Sequence, residues 1–535
     1  MKGLPGTRSR FRVGPLLAAW GFWTCAAAAG GLAAAAAEPA RSIPQLDAEF
    51  AAAVAHAVRR AEAIGSQELA AWARGWPLPA ELDRQIVVAV PDDLAAPAFI
   101  DTAEERAIWE DLAAARRLRA AGLFEHAVSA ARAHAAPLTR SERIAADAAV
   151  DRPLLAQRSC DAVRLLYLVL RDDPNHERAR SATGWVRRAE AWVEPDVARR
   201  LDKGEDYDPA FGWLPPGRLA RYRDGERFDR GRWLTAAEDE ARTLTVDRGR
   251  RFTSDHWEIL SPAPQAAASR LAHRLEEART VWRQVFGAFG VEPADLEKRI
   301  AGRGRTATNE SMAAVLCADR RQYVAELETI EPAIAGSTAV YWQPTATCWF
   351  AARNEAGEGD DEPAAHTVAH EATHQLFAEA RLDVRAALRV PVRGTKRPTL
   401  LAGERCGFWA VEAAACYMES LQPTAFGWTV GGRDAGRGPR ARALLVADGF
   451  HVPLAEITPL SRAEFQADAR LPQLYDEIAG LADFFMNGDR GRYREAFVEY
   501  LTRVYAGTAD PETLARLCKR SFAELDDAYR RHVSR

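Results

Sequence analysis

Several protein classes are excluded by what this chain lacks. Its 535 residues hold 7 cysteines and no Cys-x-x-Cys pair, which leaves no basis for a thiolate zinc site. Six of the seven, Cys160, Cys317, Cys348, Cys406, Cys416 and Cys518, are scattered over some 500 residues. That spacing is no disulfide framework, although an oxidising compartment would permit a bridge or two. Lys and Arg number 71 against 75 Asp and Glu, a net charge of −4, so no global basic field recruits nucleic acid, and none is expected as a partner. Beyond the first forty residues no apolar run is long enough to span a bilayer. At 48% hydrophobic and 27% charged residues, the composition is that of a globular protein, and the length allows two or three domains with real cores.

The amino terminus carries an export pattern. Lys2, Arg8, Arg10 and Arg12 precede an uncharged run from Val13 to Ala37, which ends in the small residues of "GGLAAAAAEPA". Residues 1–37 are therefore expected to be a signal peptide, leaving an exported periplasmic or extracellular protein with no membrane span. The alternative is a chain anchored in a membrane by this segment left uncleaved.

Residues 38–183 read as helical, with long Ala/Leu/Arg segments of 3.6-residue periodicity. Within them, 114–134 and 160–184 resemble halves of tetratricopeptide repeats. The second keeps Ala162, the helix stop Asp173-Pro174-Asn175, Ala179 and Gly184. A plain helical bundle fits the same pattern, and either would offer a surface to a protein partner. Residues 184–249 form a Trp-rich connector in which "AWVEPDVARRL" (191–201) is echoed by "RWLTAAEDEAR" (232–242), and "GWV" (184–186) by "GWL" (212–214). We read it as a duplicated module of short strands whose Trp185, Trp192, Trp213 and Trp233 fill small cores. From about residue 250 the pattern turns to α+β. Strands are expected at 256–262 and 311–318, a strand or hairpin at 336–352, and helices dominate thereafter. The fold expected is mainly α, with a C-terminal α+β domain over 250–535.

Within that region, "HTVAHEATHQLF" (366–377) places His370 and His374 four residues apart with Glu371 beside the first. On a helix, positions i and i+4 share a face, so both imidazoles can aim at one point. This is the geometry of HExxH: two nitrogen ligands for Zn²⁺ and an adjacent carboxylate base. Pro363 suits the helix start, and Asp360, Asp361 and Glu362 suit its positive end. His366 sits a turn earlier, rotated away from His374, and is read as a neighbour. A catalytic zinc needs a third protein ligand. The Gly and His of the metzincin extension are absent, with Phe377 and Ala380 in their places. "GFWAVEAAACYMES" (407–420) instead reads as a helix with Glu412, Cys416 and Glu419 on one face.

The series Trp409-x-x-Glu412-x-x-Ala415-x-Tyr417-x-Glu419 resembles the third-ligand helix of gluzincin metallopeptidases. These include the aminopeptidase-N-like enzymes and the exported peptidase MA-like proteins, a domain of unknown function type. The resemblance spans roughly 250–535 and includes the late helices of 474–501. It implies a gluzincin-like zincin domain with a small sheet and a helical tail. It further implies one Zn²⁺ per chain on His370, His374 and Glu412, Glu371 as general base, and a peptide or protein substrate. Tyr475 takes the oxyanion-donor place by its position in the tail, and Glu419 the place of the carboxylate behind a ligand imidazole.

Three departures stand out. Ala413 replaces the usual Gly, 38 residues separate His374 from Glu412, and "GSTAVY" (336–341) lacks the Glu with which the aminopeptidases hold a free amine. The expected activity is therefore zinc-dependent peptide hydrolysis without aminopeptidase specificity. The alternative is a catalytically silent zinc-binding protein, or a scaffold working through the tetratricopeptide-like region. Segment 381–405, with Arg381, Arg385, Arg389, Arg393, Lys396, Arg397 and Arg405, reads as a solvated loop that would also attract carboxylate-bearing substrates.

Overall fold

The computed structural model describes residues 41–79, 83–135, 159–304, 311–352, 363–380 and 401–534. The signal segment, the acidic residues 360–362 and the basic residues between 381 and 397 lie outside them. The first helix, α1 (Ile43–Ala63), starts where Gln45 accepts the Ser42 N–H at 2.8 Å. Its Leu46, Phe50, Val54, Ala57 and Ala61 recur at the helical period and are buried. They face α2 (Ala103–Ala135), which packs in turn on α3 (Cys160–Asp172). Arg119 of α2 ties the three together: it reaches Asp47 of α1 at 2.7 Å and pairs with the fully buried Asp172 of α3. The stretch 114–134 lies inside the single helix α2.

One strand interrupts this helical region. β1 (Gln85–Val88) pairs antiparallel with Gly427–Val430, far along the chain. "QIVV" shows no alternation that would announce it, because three of its four residues are buried.

The Trp-rich connector is a tandem of three hairpins, each followed by a short helix, where the sequence reading expected a duplication. β2 (Val186–Arg188) and β3 (Ala191–Val193) lead into the helix Pro195–Asp202. β4 (Asp206–Asp208) and β5 (Gly212–Leu214) lead into Leu219–Arg223, and β6 (Glu226–Asp229) and β7 (Arg232–Thr235) into Ala236–Glu240. Trp192, Trp213 and Trp233 occupy equivalent places in the second strands. The "GWV"/"GWL" echo is not an equivalence, since Val186 opens a first strand and Gly212 a second. The first two helices are each stapled to the next hairpin. Arg200 lies 5.9 Å over Trp213 and bonds Glu205; Arg221 lies 3.7 Å over Trp233 and bonds Glu226.

Next comes a five-stranded sheet of β8 (Arg250–Thr253), β9 (Trp257–Ser261), β10 (Met312–Cys317), β11 (Ala339–Trp342) and β12 (Thr347–Ala351). Its order is β11-β12-β10-β9-β8, with β9, β10 and β12 parallel and the two edge strands antiparallel. Alternation along β10 serves both faces: Met312, Ala314 and Leu316 join the main core, while Val315 and Cys317 pack with Tyr323 and Leu327. On the main face lie α4 (Gln265–Val285) and α5 (Ala365–Glu379), against each other. The chain then forms α6 (Phe408–Met418), buried along its whole length, and the strands β13 (Gln422–Thr424) and β14 (Gly427–Val430). Further helices, α7 (Leu471–Gly491), α8 (Arg494–Tyr505) and α9 (Phe522–Ser534), complete a mostly helical chain with small sheets. No helix among the described residues is long and apolar enough to cross a membrane.

A buried ion network joins the hairpins to the sheet. Glu194, before the first hairpin's helix, bonds Arg279 and Arg283 of α4 at 2.7 and 2.6 Å. His256, before β9, stands between Glu276 at 2.7 Å and Glu194 at 3.3 Å. Burial and Arg279 oppose charge on His256, but the two carboxylates prevail and push its pKa up to about 9. A histidine raised from its unfolded value near 6.5 stabilises the fold fully below that pH, and the gain is lost as pH rises through about 9. We expect a loss on the order of 3 kcal/mol across that window, and a flatter profile in His256→Gln. Unfolding midpoints measured from pH 6 to 10 check this.

Candidate metal centre

The α5 helix carries the sequence motif and is fixed from behind. Gln375, fully buried beside His374, accepts the Trp257 Nε1–H at 3.0 Å and donates to the Ala313 and Ala346 carbonyls at 3.0 and 3.1 Å. Three bonds to three pieces of the sheet region set both the height and the rotation of α5. Phe377 closes the same face, in edge or tilted contact with Trp282, Phe286 and Phe289 and stacked on Tyr505 at 5.2 Å. Val368, Leu376 and Phe377 point into the core, which leaves His370, Glu371 and His374 on the opposite side.

The third group comes from α6. Its start is set by Gly407, at φ 75°, where a Cβ would fall 2.6 Å from the Tyr500 hydroxyl; only glycine fits there. One turn further on, Glu412 points at the imidazoles. His370 Nε2 and His374 Nε2 are 3.1 Å apart, and Glu412 oxygens lie 3.5 Å from the first and 3.7 Å from the second. Four ligands at 2.0–2.1 Å around a tetrahedral zinc are about 3.3 Å from one another. These spacings are close to the edges of such a site, and the three groups could hold one ion.

Around them stand the other expected residues. Tyr475 of α7 donates its hydroxyl to Glu412 at 3.1 Å. Glu419 receives His370 Nδ1 at 2.8 Å, so that histidine's outer nitrogen is fixed by a carboxylate. Glu371 turns the other way and accepts the backbone N–H of Tyr341, in edge strand β11, at 2.6 Å. His366 is exposed and belongs to neither cluster of metal-binding side chains.

Burial sets the charges. It pushes His374 down to about 4, leaving the neutral nitrogen that a metal requires. Burial opposes charge on His370 too, but Cys416, Glu412 and Glu419 outweigh it and hold His370 well above its ordinary value. Against burial, the two histidines hold Glu412 down to about 2. Glu371 is raised by burial, with only partial relief from His370 and the Tyr341 N–H.

Sequence reasoning missed Arg437 and Gln375, and gave Cys416 no part in the centre. Arg437 grips Glu419 at 2.8 Å and is gripped by Asp476 at 3.4 Å. Cys416 lies beside His370 in a second grouping with Glu419. Gln375, a fully buried polar residue next to the motif, was the one with a detectable signal. A cavity of about 570 Å³, lined by Tyr167, Glu194, Trp282 and Arg299, touches α5 only past His374, at Leu376, Glu379 and Ala380. It is separate from the centre. Comparison of the chain with family models, curated proteins and solved structures finds no match.

Removing Glu419 strands two cations at once, His370 and Arg437. Glu419→Ala is expected to lower the unfolding free energy by about 3 kcal/mol, the low end for a broken buried ion pair. Urea unfolding checks this, and Glu419→Met with Arg437→Met should cost less than Glu419→Ala alone.

Proposed function

We propose that this chain is an exported zinc-dependent peptidase, gluzincin-like in its ligand set. The observation that carries the reading is the convergence of His370, His374 and Glu412 within 3.7 Å, from helices whose ligand positions are 38 residues apart. A zinc ion held by them would supply Lewis-acid polarisation of a carbonyl and a more acidic bound water.

The chain's own groups do the rest. Glu371 is the general base, and its raised pKa brings it nearer the working range for taking and returning a proton. The Tyr341 N–H holds one of its oxygens, leaving the other for the proton. Tyr475 supplies a hydroxyl at the Glu412 side of the centre, where an oxyanion donor is needed. Glu419 and Arg437 orient His370. A peptide substrate is favoured because β11 is the end strand of the sheet and one of its N–H groups already reaches Glu371. An extended peptide can add to such an edge, next to the base.

Purified protein is expected to hold one zinc per chain, and His374→Ala none, by elemental analysis. Glu371→Gln should keep the zinc and lose at least about 100-fold in hydrolysis of a mixed peptide library. Zinc-free wild type, or undiminished turnover by Glu371→Gln, would overturn the reading.

A further inference from the structure

One cation near the centre has no polar partner among the described residues. Arg462 opens the short helix Arg462–Gln466, anchored by the Ser461–Glu464 capping box and by its own N–H on the Gly403 carbonyl at 3.0 Å. Among the described residues its guanidinium makes no ion pair and no hydrogen bond, unlike Arg437, Arg440 and Arg470 nearby. It lies over the ring of Phe408, 5.1 Å from the centroid. Phe408 begins α6 about one turn before Glu412. From its other side the same short helix reaches the centre by Phe465, 6.0 Å from Tyr475, whose hydroxyl is on Glu412. Arg462 is thus held near the centre, too far to pair with Glu412 and close enough for its charge to be felt at Glu412, His374 and Tyr505.

A half-buried arginine with no carboxylate partner among the described residues, beside a candidate catalytic centre, is a candidate anion site. The segment 336–341, which runs into β11, offers no acidic side chain to a substrate amine. Both observations favour an anionic group over an amine. We propose that Arg462 binds a substrate carboxylate, so that the preferred substrates are peptides presenting a free carboxyl group beside the scissile bond. This rests on the metallopeptidase reading above. The carboxylate belongs either to the chain terminus or to an Asp or Glu side chain.

The test uses full-length zinc-loaded protein and calorimetric titration with three peptide hydroxamates. One ends in a free carboxylate, one in a carboxamide, and one in a carboxamide with a Glu side chain in the last position. Wild type is expected to bind at least one carboxylate form tenfold or more tighter than the plain carboxamide, and which form does so names the source. The gap should vanish in Arg462→Gln and survive in part in Arg462→Lys, with zinc content and urea midpoint unchanged. Equal binding of all three by wild type, or a gap that persists in Arg462→Gln, overturns the proposal while leaving the metal centre standing. If no hydroxamate binds, the metallopeptidase reading fails and the proposal with it.

Discussion

A buried carboxylate organises this protein. Glu412 is 6% exposed, and an ionised group so placed is tolerated only where charges and hydrogen bonds replace its water. Two imidazoles from α5 and the Tyr475 hydroxyl from α7 do so. That requirement fixes the mutual position of three helices. Around it, each neighbour needs its own compensation. His370 needs Glu419, and Glu419 needs Arg437. The centre is one connected electrostatic unit, and removing any member leaves a charge behind.

Rigidity reaches the unit from two directions. The sheet holds α5 through Gln375, whose single amide bonds a strand residue, a strand carbonyl and a turn carbonyl. The helical tail holds α6, where Trp409 is fully buried among Phe485, Phe497 and Tyr500. Such a division leaves the ligand atoms positioned by packed elements instead of loops, which keeps a site within the tolerance that chemistry demands. The hairpin tandem is fastened to the same body by the Glu194 network, and β1 by its pairing with β14.

Much of the local structure was legible beforehand. The strands at 257–261 and 312–317, the hairpin at 339–351 and the helices carrying His370 and Glu412 stand where alternation and helical period placed them. The misses share a cause. β1 is short and buried, so it lacks alternation, and its partner lies more than 300 residues away. The middle hairpin was overlooked because its Gly212-Trp213-Leu214 resembles the entry to the first hairpin while occupying the exit strand of the second. Short motifs repeat by accident; only the Arg-on-Trp contacts reveal the true register.

What the sequence by itself determined is the shared face of His370 and His374, because a helix advances about 100° per residue wherever it forms. It likewise determined that Glu412, Cys416 and Glu419 line one side of α6. Tertiary structure alone decided that these two faces meet, and that Glu371 turns towards β11. It also decided that Arg437 is consumed by Glu419 while Arg462 has no such partner among the described residues. Those outcomes depend on which distant side chains fill the same space, and no local periodicity encodes that.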